Sequence, residues 1–481
     1  MLLGFVILYL VVSLGIGFYA ATKVHNAKDY IAAGRSLPLY IVMAMVFATW
    51  FGAETVLGIP ATFMEEDLAG LISDPFGASL CLVLFGLFFA RKLYRMNLLT
   101  IGDFYRERYD NKVEVVTGIA IALSYLGWVS AQVTALGLVF NVLSDGSISQ
   151  AQGILIGAAV VLMYTLYGGM WSVALTTFFQ MIIIVIGLIY IAWLLADMTG
   201  GVAPVIEHAA SNAKFNFWPE LDAVAMVAFI SGLLTMGFGS IPQQDVFQRA
   251  NSSKNENVAV WGTVAGGVAY FLFAAVPLFM AYSANLIDPT LAAKWLAEDS
   301  QKLLPELVKG HLPLFAQVIF YGALLSVIMS TASGTLLAPS VTISENVLKD
   351  FITRRRHLPD HQLLVLTRWV VVVFTVLVTL YSLWSLEQET GIHQMVENAY
   401  KVTLVLAFVP LVAGLYWKRA TTRGAYWAIG LGLSTWIPME VWLPEGDGPI
   451  PPQFAGFLMA ILGMLAGSLT DRRHRRHAPA A

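Results

Sequence analysis

Apolar stretches of helical length recur along the chain, separated by short polar segments, and they do not alternate as half-buried strands would. Residues 3–21, 77–90, 153–167, 178–196, 264–284 and 369–384 carry no charge. Most of these are long enough to cross a hydrocarbon core of ~30 Å as helices. Followed to its polar boundaries, the pattern predicts thirteen spans, at about 3–21, 38–63, 73–94, 113–143, 152–170, 174–197, 222–246, 258–284, 313–347, 362–386, 393–416, 422–443 and 451–469.

Basic residues give that count a direction. The first one, Lys23, follows the first apolar run instead of preceding it, the layout of a span with its N-terminus outside and not of a signal peptide. With that orientation 22 of the 28 Lys and Arg fall at cytoplasmic ends and only Lys214, Lys294, Lys302 and Lys309 fall outside. One span more or fewer would scramble this pattern. The basic tail from Asp471 onward reads as a cytoplasmic anchor. The stretch LAAKWLAE (291–298) reads as a surface helix in an outside loop.

Composition agrees. Hydrophobic residues make up 58% of the 481 and charged ones 12%, with mean hydropathy +0.71; a soluble chain carries about twice that charged fraction. The expectation is an all-α, polytopic protein of the plasma (inner) membrane, with the lipid bilayer as its main partner and no nucleic-acid or obligate protein partner evident. Net charge is −3, and the single cysteine, Cys81, excludes an internal disulfide. No HExxH, GxSxG, P-loop or CxxC pair occurs, and His357 and His361 straddle a proline in a basic loop. An enzyme is therefore not expected, and neither is an organic cofactor.

Four spans carry material that lipid contact does not explain. In the second, Glu54 follows Gly52-Ala53, and a carboxyl at bilayer depth is costly unless it faces protein or water. Five spans later, SGLLTMGFGSIPQQDVFQR (231–249) breaks at Gly237, Gly239 and Pro242 and then turns polar. Broken backbone at such depth is tolerated where it lines a cavity. Two breaks five spans apart are the mark of an inverted five-plus-five repeat. The ninth span clusters hydroxyls at Ser326, Ser330, Thr331, Ser333 and Thr335, the neutral oxygens a hard monovalent cation wants; close helix packing with back-bonded hydroxyls is the alternative. The fourth span adds Trp128, Ser130 and Gln132.

Six stretches then match a known pattern in order: AKDYIAAGRSLP (27–38), ATWFGAETVLGIP (48–60), YGGMWSVALTTFFQ (167–180), IPQQDVFQRANSS (241–253), VIMSTASGTLLAPSVTISEN (327–346) and GLYWKRATTRGA (414–425). On these the chain resembles the sodium:solute symporter family over nearly its whole length. The seventh-span stretch looks most like the choline-transporting branch. The resemblance implies a LeuT-type fold in one transmembrane domain over 1–481. An extra N-terminal span (3–21) would precede repeats at 38–197 and 222–416, and two C-terminal spans (422–469) would follow. It also implies a sodium site made by the carbonyls of Ala48, Phe51 and Val327 and the hydroxyls of Ser330 and Thr331. Where members with a second sodium site place an aspartate, this chain has Thr177, after Thr176, and of the accompanying hydroxyls only Ser333 remains, beside Gly334. One sodium per cycle is therefore expected, with Na+ as coupling ion.

The substrate is expected beside the two breaks. Its candidate lining is Trp50, Glu54 and Thr55 of the second span, Trp128, Ser130 and Gln132 of the fourth, and Phe238, Gln243 and Gln244 of the seventh. Two indoles facing one cavity suit a quaternary ammonium, since a desolvated cation–π contact is worth about 2 kcal/mol. The branch's aromatic after the seventh-span proline is here Gln243, which leaves room for proline or betaine. The resulting expectation is sodium-coupled uptake of a small organic solute, choline first and proline or betaine second. A proton-driven carrier using Glu54 is the rival.

Overall fold

The structure is a computed structural model that describes residues 2–219, 221–349, 359–443 and 448–471. His357 and the tail 472–481 lie outside the described residues. The described chain is helical throughout, with one isolated parallel bridge between Leu37 and Ser253.

Among the described residues, eight helices are long and apolar enough to cross a membrane: α4 (Leu68–Arg95), α5 (Asn111–Leu143), α7 (Gly169–Met198), α10 (Glu256–Ile287), α11 (Leu314–Leu348), α12 (His361–Glu387), α13 (Ile392–Tyr416) and α15 (Pro452–Leu469). Two bent pairs raise the number to ten: α2 (Leu39–Trp50) with α3 (Glu54–Glu65), turned by 54°, and α8 (Ala223–Gly239) with α9 (Gln244–Asn251), turned by 44°. Helices α1 (Leu2–Ala21) and α14 (Thr422–Trp442), and α6, which includes the apolar stretch Gln150–Met163, occupy the first, twelfth and fifth expected positions. Every expected span therefore has a helix.

The bends sit where the sequence weakens the helix. Phe51 leaves helical geometry at φ −82°, ψ 72°, ahead of Gly52, and Pro242, which lacks an N–H, sits between α8 and α9. A third break separates α6 from α7, where Gly169 adopts φ +49°. A β-carbon there would run into the ring and carbonyl of Tyr30, so the glycine of the YGGMWS stretch is required by both conformation and space.

The two bent pairs lie in the middle of the molecule. Ala48, Trp50, Phe51, Glu54 and Thr55 are all buried, as are Gln243, Gln244, Asp245 and Arg249. Their near ends are clasped together: Leu37 N–H donates to Ser252 O (3.0 Å) and Lys254 N–H donates to Leu37 O (2.9 Å). Large apolar side chains such as Ile186, Trp193, Leu272, Leu380 and Trp442 point outward from the bundle, as a lipid-facing surface requires. LAAKWLAE falls in a helix, Pro289–Glu298, that buries Ala292 and exposes Lys294 and Glu298.

Candidate functional site

At the first break a neighbouring helix adds its own hydrogen bonds to the backbone. Thr331 Oγ1 on α11 donates to the carbonyl of Ala48 (2.9 Å) and lies 3.4 Å from that of Phe51. One residue earlier, Ser330 Oγ donates to Val327 O (2.9 Å). Of the five residues expected around a cation, Thr331 meets Ala48 and Phe51 across the break, while Ser330 and Val327 bond each other within α11 one turn away; all five are buried and none carries a charged side chain.

The surroundings of Gly334, one turn along α11, are different in kind. A β-carbon on Gly334 would collide with Arg249 Nη2. The guanidinium is fully buried and pairs through Nη1 with Asp245 (3.2 Å), which in turn hydrogen-bonds the Tyr125 hydroxyl. Thr176 Oγ1 bonds back to Ser172 O (2.6 Å), Ser333 Oγ to Ser330 O (3.2 Å), and Thr177 Oγ1 is buried without a hydrogen-bond partner among the described residues.

Beside the break lies an aromatic cluster. Trp50 stacks on Tyr400 (ring centroids 5.5 Å apart, 21° between planes) and tilts against Trp128 (5.1 Å, 42°). Trp128 meets Tyr400 edge to face (5.7 Å) and stacks on Tyr125 (5.9 Å). Two donors in this cluster, Trp50 Nε1 and Tyr400 Oη, are buried with no partner among the described residues. Unmet buried donors are uncommon, and here both belong to rings of the same cluster.

Glu54 closes one edge. Trp128 Nε1 donates to its Oε1 (3.2 Å) and Gln132 Nε2 to its Oε2 (2.6 Å), while Gln132 Oε1 accepts from Ala53 N–H (2.9 Å). The carboxyl folds back over Gly52, where any β-carbon would strike it. Thr55 Oγ1 donates to Trp50 O (2.9 Å).

Some expected lining residues go elsewhere. Ser130 bonds Val378 O (3.0 Å) on α12, because it lies two residues from both Trp128 and Gln132 and so on the opposite face of α5. Phe238 stacks on Phe408 (4.8 Å, 16°) and touches Phe457, on the side of α8 away from the cluster. Gln244 accepts from Ile101 N–H (2.9 Å). Gln243 stays close, exchanging hydrogen bonds with Ser124 (2.9 Å) one residue from Tyr125. Sequence reasoning missed Tyr400 and Tyr125. Tyr125 precedes Trp128 by three positions and was within reach of a helical-face argument. Tyr400 sits in the amphipathic IHQMVENAYKVT and carries no local signal.

An all-helical membrane protein whose buried oxygens and rings gather at two helix breaks has the build of a solute transporter. The profile of the sodium:solute symporter family matches residues 30–432, and the chain belongs to that family. It is a sodium-coupled solute symporter, a multi-pass membrane protein and not an enzyme. Among its relatives, the human high affinity choline transporter 1 is 26% identical, over 88% of this chain and 74% of its own. The osmoregulated proline transporter OpuE of Bacillus subtilis is 26% identical (98% and 95%), and the sodium/proline symporter of Escherichia coli 25% (95% and 90%). The substrate-bound outward-open structure of a Na+-coupled sialic acid symporter superposes with TM-score 0.80 at 18% identity, over 100% of this chain and 98% of that one. The inward-facing conformation of Mhp1 gives 0.54 at 15%, over 92% and 91%. The fold is LeuT-like.

Proposed function

We propose that the chain imports a quaternary amine such as choline, one sodium ion per solute, through thirteen spans arranged as a five-plus-five inverted repeat with its N-terminus outside. The observation that carries the substrate reading is the contact of Trp50, Trp128 and Tyr400, whose π-faces would hold a desolvated onium group. The carbonyls of Ala48, Phe51 and Val327 with the hydroxyls of Ser330 and Thr331 would hold the sodium. The contact between Thr331 and the α2–α3 break supports this, because a cation there would tie the broken span to α11. Sodium binding would so favour the solute-ready arrangement, and by linkage the solute would tighten sodium by the same factor. Each positive charge that enters adds about 2.3 kcal/mol per 100 mV of membrane potential, and a choline cation with its sodium carries two.

A second reading has its own observation. Trp50 Nε1 and Tyr400 Oη have no partner among the described residues and can donate, while Glu54 is already held by Trp128 and Gln132. A zwitterion such as betaine or proline would place a carboxylate on those two donors. Relatives that are named for choline and for proline match this chain at nearly equal identity, so kinship does not choose between them.

Uptake of radiolabelled choline, betaine and proline into proteoliposomes, under an imposed sodium gradient and separately under a proton gradient, decides. Sodium-driven choline uptake lost in Trp50→Ala supports the first reading. Uptake of proline or betaine alone supports the second. Uptake driven only by protons overturns sodium coupling at this site.

A further inference from the structure

Asp74, on α4, belongs to none of the sites above. It is fully buried, its Oδ1 meets the hydroxyl of Tyr270 on α10, and its Oδ2 has no partner among the described residues. Tyr270 Oη in turn lies 3.4 Å from Thr55 Oγ1, which sits 2.9 Å from Trp50 O in the break. The acidic groups facing Asp74 are Glu54 of α3 and Glu397 of α13. His393, also on α13, reaches this turn only through Ser73 (3.4 Å), and α8, which packs along it, carries no titratable residue over Ala223–Gly239. Apart from that imidazole, no basic side chain among the described residues is recorded against Asp74 to balance a negative charge.

Counting hydrogens decides what the chain of contacts needs. A hydroxyl donates once. Thr55 spends its hydrogen on Trp50 O. If Asp74 is ionised, Tyr270 must donate to it, and the contact between Tyr270 and Thr55 is left with no hydrogen. If Asp74 carries a proton, every contact is served in one direction: Asp74 donates to Tyr270, Tyr270 to Thr55, and Thr55 to the carbonyl of Trp50. A lone carboxylate oxygen in a dry interior is costly, and a sodium ion would want more oxygens than the one carboxyl and one phenol here provide.

We propose that Asp74 is a proton-binding site, and that its proton, relayed through Tyr270 and Thr55, holds α3 against α4 and α10 and so fixes the helix break from which both sodium and solute are bound. The proton is a further ligand of the transport cycle, separate from the coupling ion.

The test is an infrared titration of the full-length chain reconstituted in lipid with sodium and no solute, so that it stands whatever the substrate is. A protonated-carboxyl C=O band present at neutral pH is expected to vanish in Asp74→Asn and persist in Glu54→Gln. In Tyr270→Phe, which keeps the acid and removes its partner, the band is expected to shift. In uptake assays with equal pH on both sides, sodium-driven transport by the unsubstituted protein is expected to fall on the alkaline side by about tenfold per pH unit. Asp74→Asn, whose amide still donates to Tyr270, is expected to flatten that profile. A band unaltered by Asp74→Asn or by Tyr270→Phe overturns the proposal, as does the absence of any such band in the unsubstituted protein.

Discussion

Thr331 is the side chain on which the proposed cation site turns. Its hydroxyl already spans the carbonyls of Ala48 and Phe51, so Thr331→Ala removes one oxygen and also the tie between α11 and the break. A hydrogen bond to a charged group is worth about 1.5–3 kcal/mol, which corresponds to about a tenfold to hundredfold loss of sodium affinity. Sodium titration of uptake checks it, and Thr331→Ser is expected to recover most of the loss. Gly334 makes a contrasting case. Nothing about its backbone demands glycine, but Arg249 occupies the space of its missing side chain. Gly334→Ala is expected to cost about 1–3 kcal/mol through overpacking, read as a lowered melting temperature in detergent. Both residues were singled out by sequence, Thr331 for its hydroxyl and Gly334 as a missing one. That a guanidinium fills the gap was not legible, because Arg249 lies 85 positions away on another helix.

At the scale of elements, the two bent spans do what their composition forecasts. The 54° turn follows from Phe51-Gly52 leaving helical geometry, and the 44° turn from Pro242. Gly52 is constrained from a second side, since a β-carbon there would strike the Glu54 carboxyl. Gly52→Ala is therefore expected to disturb the hydrogen bonds of Glu54 with Trp128 and Gln132 and to raise the solute KM, with folding largely retained. Comparing KM for uptake with the melting temperature separates the two effects. The aromatic cluster, by contrast, is assembled from three elements, Trp50 ending α2, Tyr125 and Trp128 on α5, and Tyr400 on α13. Trp50→Ala removes a π-face worth about 2 kcal/mol to a desolvated cation, about thirtyfold in affinity, whereas Trp50→Phe is expected to lose less. Radiolabelled solute binding measures both. An equal loss in the two variants would assign the role of Trp50 to its free Nε1 donor instead of its face.

For the molecule as a whole, the question is which ions move. Thr177 supplies no carboxylate, and Arg249 brings a resident positive charge to the turn of Gly334, one turn from Ser330. A second sodium there would meet a guanidinium that fills the space and already takes up Asp245, without a full oxygen shell. Paired fluxes of radiosodium and solute are accordingly expected to give a ratio of one. A ratio near two would refute the single-site reading. Glu54→Gln tests the rival ion: in a sodium-driven carrier it alters solute affinity and leaves the driving ion unchanged, while in a carrier using Glu54 for protons it abolishes coupling.

Sequence alone determined the membrane class, the positions of the helices, the places where two of them break and the hydroxyls of the ninth span. These follow from local physics: apolar runs of bilayer length, residues that weaken a helix, and polar atoms too expensive to leave facing lipid. Only the tertiary structure decided what those features face. Ser130 and Phe238 turn away because helical phase and neighbouring rings outweigh their closeness in sequence to site residues. Tyr400 and Asp74 come to the first break from helices whose own sequences do not mark them, and Arg249, within the broken seventh span, fills the space beside Gly334. A side chain's role at a buried site depends on which atoms lie across from it, and that is a property of packing between distant segments, not of the segment that carries it.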